Sequence, residues 1–402
     1  MNILFLGKFY PQTLITTLAA DSKGKAGMSN HNFEMSIING LCQQKEIMLK
    51  CITVPNTYSF PYNNKRFFTK KESYQHKNTQ IHSVPFCNLP IIKEIWSTLA
   101  LVVTLIKVLS KYDGDKVEAI INTPNNGLLN AVRFAKVFTR KKITQTVIIP
   151  DIPSMVTSMD KQNKLKGFVL KYRNKRSMKM ISDSNGLVLL TEAMIDFVDK
   201  PIPYIVMEGI VDVETMDVET SSMIKEIILY TGTLRRIFGV MNLVQAFQKI
   251  IDSDVELWIC GSGDSEEAIK AAANLDYRIK FYGLVDSLSA LKMQRQATIL
   301  VNPRTSEGEY TKYSFPSKTM EYLLSGKSVI INRLPGIPEE YYQYVHTPED
   351  ESIDALAECI SNILTMDVQT RNLMAQRGRE FIMSCKNSKI QTKRILDMIS
   401  EY

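Results

Sequence analysis

The stretch Tyr313-Ser314-Phe315-Pro316-Ser317-Lys318-Thr319-Met320-Glu321-Tyr322-Leu323-Leu324-Ser325-Gly326-Lys327-Ser328-Val329-Ile330 reads as a short helix that runs directly into a buried strand. Pro316 suits a first helical turn and Gly326 suits a C-terminal stop. The run Ser328–Ile331 that follows has the length and branching of a strand. Lys318 and Glu321, at i and i+3, share one face of the helix.

Outward from this unit the same alternation repeats. β-Branched runs occur at Ile3–Leu6, Ile47–Val54, Val117–Ile121, Thr146–Ile149, Leu187–Leu190 and Ile205–Met207, and again at Ile227–Tyr230, Leu257–Cys260, Ile279–Tyr282 and Thr298–Val301. Between them lie stretches of 3.6-residue period, such as Phe33–Leu41, Leu243–Ile251 and Ser265–Ala272. Strand and helix in alternation predict an α/β fold of parallel sheets covered by helices. At 402 residues the chain exceeds what one core usually serves, so two domains are expected. The acidic stretch Val211–Ser222 marks the linker, dividing a domain 1–210 from a domain 223–385. The amphipathic C-terminal helix in 386–402 is expected to pack back on the first domain. Six scattered cysteines without a C-x-x-C pair predict neither a disulfide framework nor a zinc site. The first strand is followed at once by Lys8, unlike a signal peptide, and the longest apolar run, Ile95–Ile106, is too short to cross a bilayer.

Ligands on open parallel sheets bind beyond the carboxyl ends of the strands, so the loops there carry the candidate site. After Ile227–Tyr230 comes Thr231-Gly232-Thr233-Leu234-Arg235-Arg236-Ile237-Phe238-Gly239, a glycine turn with two guanidinium groups that suits a diphosphate. Its plainer reading is a solvated loop. The next strand ends in Cys260-Gly261-Ser262-Gly263-Asp264, where a base or phosphate can approach the backbone; a tight βα turn needs the same residues. Glu321, one turn inside its helix, can accept both hydroxyls of a ribose, with Ser317 and Lys318 at the helix entry toward the phosphates. The alternative is a surface Lys–Glu pair.

In this order, Thr231–Gly239, Cys260–Asp264, Arg278–Gly283 and above all the Phe-Pro-Ser-Lys-x-x-Glu-Tyr-Leu-x-x-Gly-Lys block resemble the C-terminal half of the GT-B glycosyltransferases of family 4, of the bacterial capsule, exopolysaccharide and O-antigen type. The resemblance implies two Rossmann-like domains facing a central cleft, a UDP- or GDP-sugar donor held by the second domain without a metal, and retention at the sugar. It implies donor contacts from Gly232, Arg235, Arg236, Gly261, Gly263, Ser317, Lys318 and Glu321. The family's paired-glutamate motif would place its first carboxylate at Tyr313, so Glu307 or Glu309 must substitute, with Glu309 assigned to the catalytic set beside Lys318. The family's phosphate-loop Arg and Lys align with Thr233 and Phe238, leaving Arg235 and Arg236 to supply charge. In the first domain, Gly27, Asn30 and His31 belong to the loop implied to meet donor or acceptor, and Asp151 resembles an Asp-x-Pro element that receives the acceptor hydroxyl, unless it only caps its loop.

Charge is unevenly spread: residues 1–200 hold 28 basic against 14 acidic residues, and residues 201–402 hold 21 against 28. Eight of the basic residues fall within 161–179, interleaved with Leu165, Phe168, Val169, Leu170 and Tyr172, a pattern suited to anionic headgroups. Tyr58, Phe60, Tyr62, Lys65, Arg66, Phe67 and Phe68 form a second aromatic and basic loop. The plainer reading of both is a solvated face; joined to the lipid-linked glycan acceptor that the resemblance implies, they predict a cytoplasmic enzyme held peripherally at the inner face of the cytoplasmic membrane. Nucleic acid is not an expected partner, since no recognition motif accompanies the charge. A sugar-nucleotide epimerase on the same fold and a non-catalytic sugar-nucleotide-binding subunit are the competing readings.

Overall fold

The computed structural model describes residues 1–11, 14–15, 28–57, 59–60, 63, 66–68, 72–90, 92–152, 164–212 and 225–402. The chain divides into two compact units, residues 1–212 with 387–402, and residues 213–386. The linker expected at 211–222 lies outside the described residues from 213 onward.

Unit 1 contains β1 (Asn2–Gly7), β2 (Met48–Thr53), β3 (Phe67–Phe68), β4 (Ser73–His76), β5 (Thr79–Ser83), β6 (Phe86–Cys87), β7 (Lys116–Asn122), β8 (Lys142–Ile149), β9 (Gly186–Leu189) and β10 (Tyr204–Val206). Eight of these form one sheet in the order β10-β9-β8-β7-β1-β2-β5-β4, and β3 pairs separately with β6. All pairs in the large sheet are parallel except β4 with β5. Ile3, Leu4, Phe5 and Leu6 are all buried, as a parallel strand covered on both faces requires. The helices are α1 (Met28–Cys42), α2 (Ile92–Leu109), α3 (Asn126–Phe138) and α4 (Lys164–Ile181). Asn125 caps α3, its side chain accepting from the amides of Gly127 and Leu128.

Unit 2 is a parallel sheet of β11 (Glu226–Thr231), β12 (Val255–Cys260), β13 (Ile279–Gly283), β14 (Ile299–Asn302) and β15 (Ser328–Ile331), in the order β13-β12-β11-β14-β15. Its helices are α5 (Val240–Gln248), α6 (Glu266–Leu275), α7 (Ser287–Gln296), α8 (Lys318–Leu324), α9 (Ile353–Thr365) and α10 (Val368–Cys385). The last helix, α11 (Ser388–Ser400), belongs to unit 1. Its Ile395, Met398 and Ile399 join the core around Ile3, Phe5 and Ile37, each contributing about 1.5–3 kcal/mol by burial. The Tyr402 and Thr146 hydroxyls lie 2.6 Å apart.

Every strand expected from a β-branched run is present, within two residues except at β8, which begins at Lys142, four residues before the expected Thr146, because Thr144 and Gln145 are polar although buried. The hairpin of β4 and β5 is an addition, because Ser73-Tyr-Gln-His76 is polar and forms a sheet edge where one face is wet. Among the described residues no helix is long and apolar enough to cross a membrane.

Candidate functional site

In unit 2 the chain leaves β11 for β12 on one side and later β14 on the other, so the sheet's switch point lies between β11 and β14. The loops after these two strands carry Gly232–Gly239 and Pro303–Arg304. Gly239 has φ +73, and a Cβ there would lie 2.1 Å from the Pro303 carbonyl oxygen, so only glycine lets the two loops touch.

The glycines of the next turn fit the tight βα turn, one of the two readings of this stretch. A Cβ on Gly261 would fall 1.7 Å from the Gly232 carbonyl oxygen, and one on Gly263 would fall 2.4 Å from that of Leu234. The space these residues leave open is filled by the neighbouring loop rather than kept for a ligand. Backbone donors are also engaged: Gly232 N–H donates to Cys260 O at 3.0 Å, Leu234 N–H to Ser262 O at 2.9 Å and Gly261 N–H to Gly283 O at 2.7 Å. Gly263 N–H donates to Glu266 Oε1 at 2.9 Å and Arg236 N–H to Asp264 Oδ1 at 2.7 Å. A diphosphate here must therefore be met mainly by side chains.

Four cationic side chains surround these loops. Arg235 is half-buried and Arg236 is exposed. Lys318 Cε lies 3.8 Å from where a Cβ on Gly232 would stand, and Lys318 Nζ is paired with Glu321 Oε2 at 2.7 Å, both half-buried. Ser317, immediately before α8, is exposed. Tyr322, in the same helix, is fully buried and accepts the Thr231 amide at 2.9 Å, tying α8 to the end of β11.

The fourth cation, Arg304, was not legible in the sequence. It is 6% exposed, its guanidinium 5.5 Å from the Phe238 ring centroid and 4.7 Å from that of Tyr310. Among the described residues it makes no ion pair: it reaches Ser314 Oγ at 3.4 Å, and its Nε has no hydrogen-bond partner. Burial holds it below the ordinary arginine value. A lone Arg after Pro303 reads as a solvated loop, and only the packing of Phe238 and Tyr310 reveals otherwise.

The remaining expected residues are dispersed. Tyr313 is buried, so its position offers no carboxylate to a ligand, and Glu309 is exposed, its carboxylate making no hydrogen bond or ion pair among the described residues. In unit 1, Gly27 lies outside the described residues. His31 is buried, accepts the Tyr10 amide on Nδ1 at 3.1 Å and lies with its ring tilted to that of Tyr10, 5.6 Å between centroids, with burial lowering its pKa. It serves as a neutral core residue. Asn30 donates to Glu34 Oε1 at 2.8 Å. Asp151 follows β8, and desolvation raises its carboxyl above the ordinary range.

Residues 225–366 match the family model described as glycosyl transferases group 1. Sucrose-phosphate synthase from Thermosynechococcus elongatus is similar in structure, with a TM-score of 0.65 and 14% identity over 100% of this chain and 99% of that one. HepE of Anabaena in complex with UDP gives 0.63 and 14% over the full length of both. The lipopolysaccharide outer core galactosyltransferase WaaB in its apo form gives 0.58 and 13% over 100% and 99%. Comparison with curated proteins finds no match. The fold is thus GT-B, with residues 225–366 carrying the match to glycosyl transferases group 1.

Proposed function

We propose that the chain moves a sugar from a UDP- or GDP-sugar to a hydroxyl of a lipid-linked glycan in the assembly of a bacterial surface polysaccharide, with retention, as a family 4 enzyme. The observation that carries this reading is the gathering of Arg235, Arg236, Lys318 and Arg304 around the switch point of the unit that matches the family. HepE, of similar fold, is in complex with UDP, and in a second structure with UDP and glucose, which makes UDP the first ligand to test. WaaB, also of similar fold, is a lipopolysaccharide outer core galactosyltransferase, which favours a glycan acceptor of the cell surface.

In this reading the departing diphosphate develops negative charge that the four side chains stabilise. Glu321 accepts the ribose hydroxyls and shares Lys318 with the phosphates. In a front-face mechanism the leaving phosphate takes the acceptor proton; Asp151, with its raised carboxyl, is the alternative base. No metal is assigned to the site.

The reading is tested by titrating UDP and uridine separately. Arg235→Ala with Arg236→Ala should weaken UDP binding roughly 10- to 100-fold, the worth of one or two charge-assisted contacts, and leave uridine unchanged. Equal weakening of both ligands would refute the phosphate assignment. Glu321→Gln should weaken both. Because the buried Tyr313 leaves a non-catalytic sugar-nucleotide-binding subunit as the second reading, slow hydrolysis of the bound nucleotide sugar decides between them.

Peripheral attachment to an anionic membrane rests on α4, where Lys175, Arg176 and Lys179 are exposed. Of the other cations in 161–179, Lys161 lies outside the described residues, as do the side chains of Lys164, Lys166 and Lys171. Arg173 is already paired with Glu94. Reversing Lys175, Arg176 and Lys179 to Glu should abolish co-sedimentation with anionic vesicles at low salt without touching UDP affinity. The wild type should detach as salt shortens the Debye length from ~10 Å at 0.1 M to ~3 Å at 1 M.

A further inference from the structure

Unit 1 holds a cavity of about 330 Å³ over the carboxyl ends of β1, β2 and β7, beside that sheet's own switch point. Open parallel sheets bind ligands at this position. Lys8 enters from the end of β1, Asn125 from beyond β7, Lys93 and Glu94 from α2, and Arg173 from α4.

Three cations here face one carboxylate, and Arg173 already holds Glu94 at 2.8 Å. Lys8 and Lys93 make no ion pair among the described residues. Lys93 Nζ donates to the carbonyl and hydroxyl of Thr57 and stands 5.3 Å from the Phe86 ring centroid. Glu34, the nearest other acid, accepts the Lys8 amide at 2.8 Å, but burial pushes its carboxyl up to about 7, which makes it a poor counter-ion. Desolvation lowers both ammonium groups, Lys93 to about 8 with Lys8 repelling it. Three cations against one lining carboxylate leave the cavity with a positive excess in the free protein, and an entering anion relieves their mutual repulsion.

The helix that supplies Lys93 has a second face. Ile92, Ile95, Trp96, Leu99 and Val103, spaced at i, i+3, i+4, i+7 and i+11, form one exposed apolar stripe on α2, and Phe134, Val137 and Phe138 are exposed on α3, which packs against it. Apolar surface of this kind beside the exposed cations of α4 matches a lipid with an anionic head.

We propose that the cavity binds the phosphate through which the acceptor glycan is joined to its lipid, with Lys8, Lys93 and Arg173 around the phosphate and the α2 stripe against the lipid chain. This rests on reading the chain as a transferase with a lipid-linked acceptor.

The test uses the full chain and phosphatidylcholine vesicles doped with a polyprenyl diphosphate, against vesicles of equal charge made with phosphatidylglycerol. The wild type should prefer the diphosphate vesicles, inorganic pyrophosphate should compete, and Trp96 fluorescence should shift to the blue on binding, since the other tryptophan, Trp258, is buried. Lys8→Met with Lys93→Met should lose both the preference and pyrophosphate binding, by roughly 10-fold or more from two charge-assisted contacts. UDP affinity should stay unchanged, and thermal melting should show the variant folded; Lys93→Arg, which keeps the charge, should retain most binding. Trp96→Ser with Leu99→Ser should weaken vesicle binding but not pyrophosphate binding. Equal binding to both vesicle types, or full affinity in the double methionine variant, would overturn the proposal. Pyrophosphate binding with no gain from the lipid would overturn its lipid half. Loss of UDP binding by the wild type would instead count against the transferase reading.

Discussion

Arg304→Met should bind UDP roughly 10- to 100-fold more weakly than the wild type while binding uridine equally well and melting no lower. The two expectations pull in opposite directions for a physical reason. A buried guanidinium without a carboxylate is costly to fold around, since its hydration is lost and nothing of opposite charge replaces it. Methionine keeps an unbranched apolar stem against Phe238 and Tyr310 and removes the charge, so stability should hold or rise. If the arginine instead serves only to pin the loops at Phe238 and Tyr310, the variant should melt earlier and lose UDP and uridine alike. Arg304→Lys separates charge from geometry: a point charge should recover part of the UDP affinity, and the missing fork should keep it below the wild type. Measured by calorimetric titration and thermal melting on the same preparations, unchanged UDP affinity in Arg304→Met would remove this residue from the donor site.

Arg304 also shows where sequence reading stops. The strands were legible because parallel strands buried on both faces need continuous apolar runs, and β1, β11 and β15 have them. The helix of the Phe315–Ile330 stretch was legible from Pro316 and Gly326, whose φ of +71 ends it. The hairpin of β4 and β5 was not, since an edge strand can stay polar. The glycines of Cys260–Asp264 were visible while their purpose was hidden, because loop packing and ligand approach ask for the same residue. Only the positions of the Gly232 and Leu234 carbonyls decide between the two. Lys8, Lys93 and Arg173 come from three distant segments and share no motif, so their convergence exists only in the folded chain. His31 looked like a ligand-facing residue in a polar loop, yet its ring found Tyr10 and the core.

Glu34→Gln should make unit 1 more stable than the wild type at pH above about 8 and leave it nearly unchanged below about pH 4, because the two proteins differ only where Glu34 would ionise. Glu34 is fully buried on α1, with Oε2 accepting the Lys8 amide at 2.8 Å and Oε1 accepting Asn30 Nδ2 at 2.8 Å. Desolvation raises its pKa from 4.5 to about 7, against the opposing pull of the Asn122 amide, of the hydrogen bonds from Lys8 and Asn30 and of the Lys8 charge. The folded chain therefore keeps a proton that the unfolded chain has released between these values. The stability this confers is fully present below the unfolded value and is lost as pH rises through the folded one. A shift of this size corresponds to about 3 kcal/mol at 1.36 kcal/mol per unit, an upper figure for the gain from Gln, whose amide can keep both hydrogen bonds if Asn30 turns its own amide over. The strand end is shaped around this group: a Cβ on Gly7 would lie 1.9 Å from Glu34 Oε2, so the carboxyl fills the space a side chain would take. Urea unfolding of both proteins across this pH range, followed through unit 1, should show the wild type losing stability with rising pH and the variant holding level. Parallel curves would mean that Glu34 is ionised in the folded chain throughout, with the Lys8 ammonium as its counter-ion.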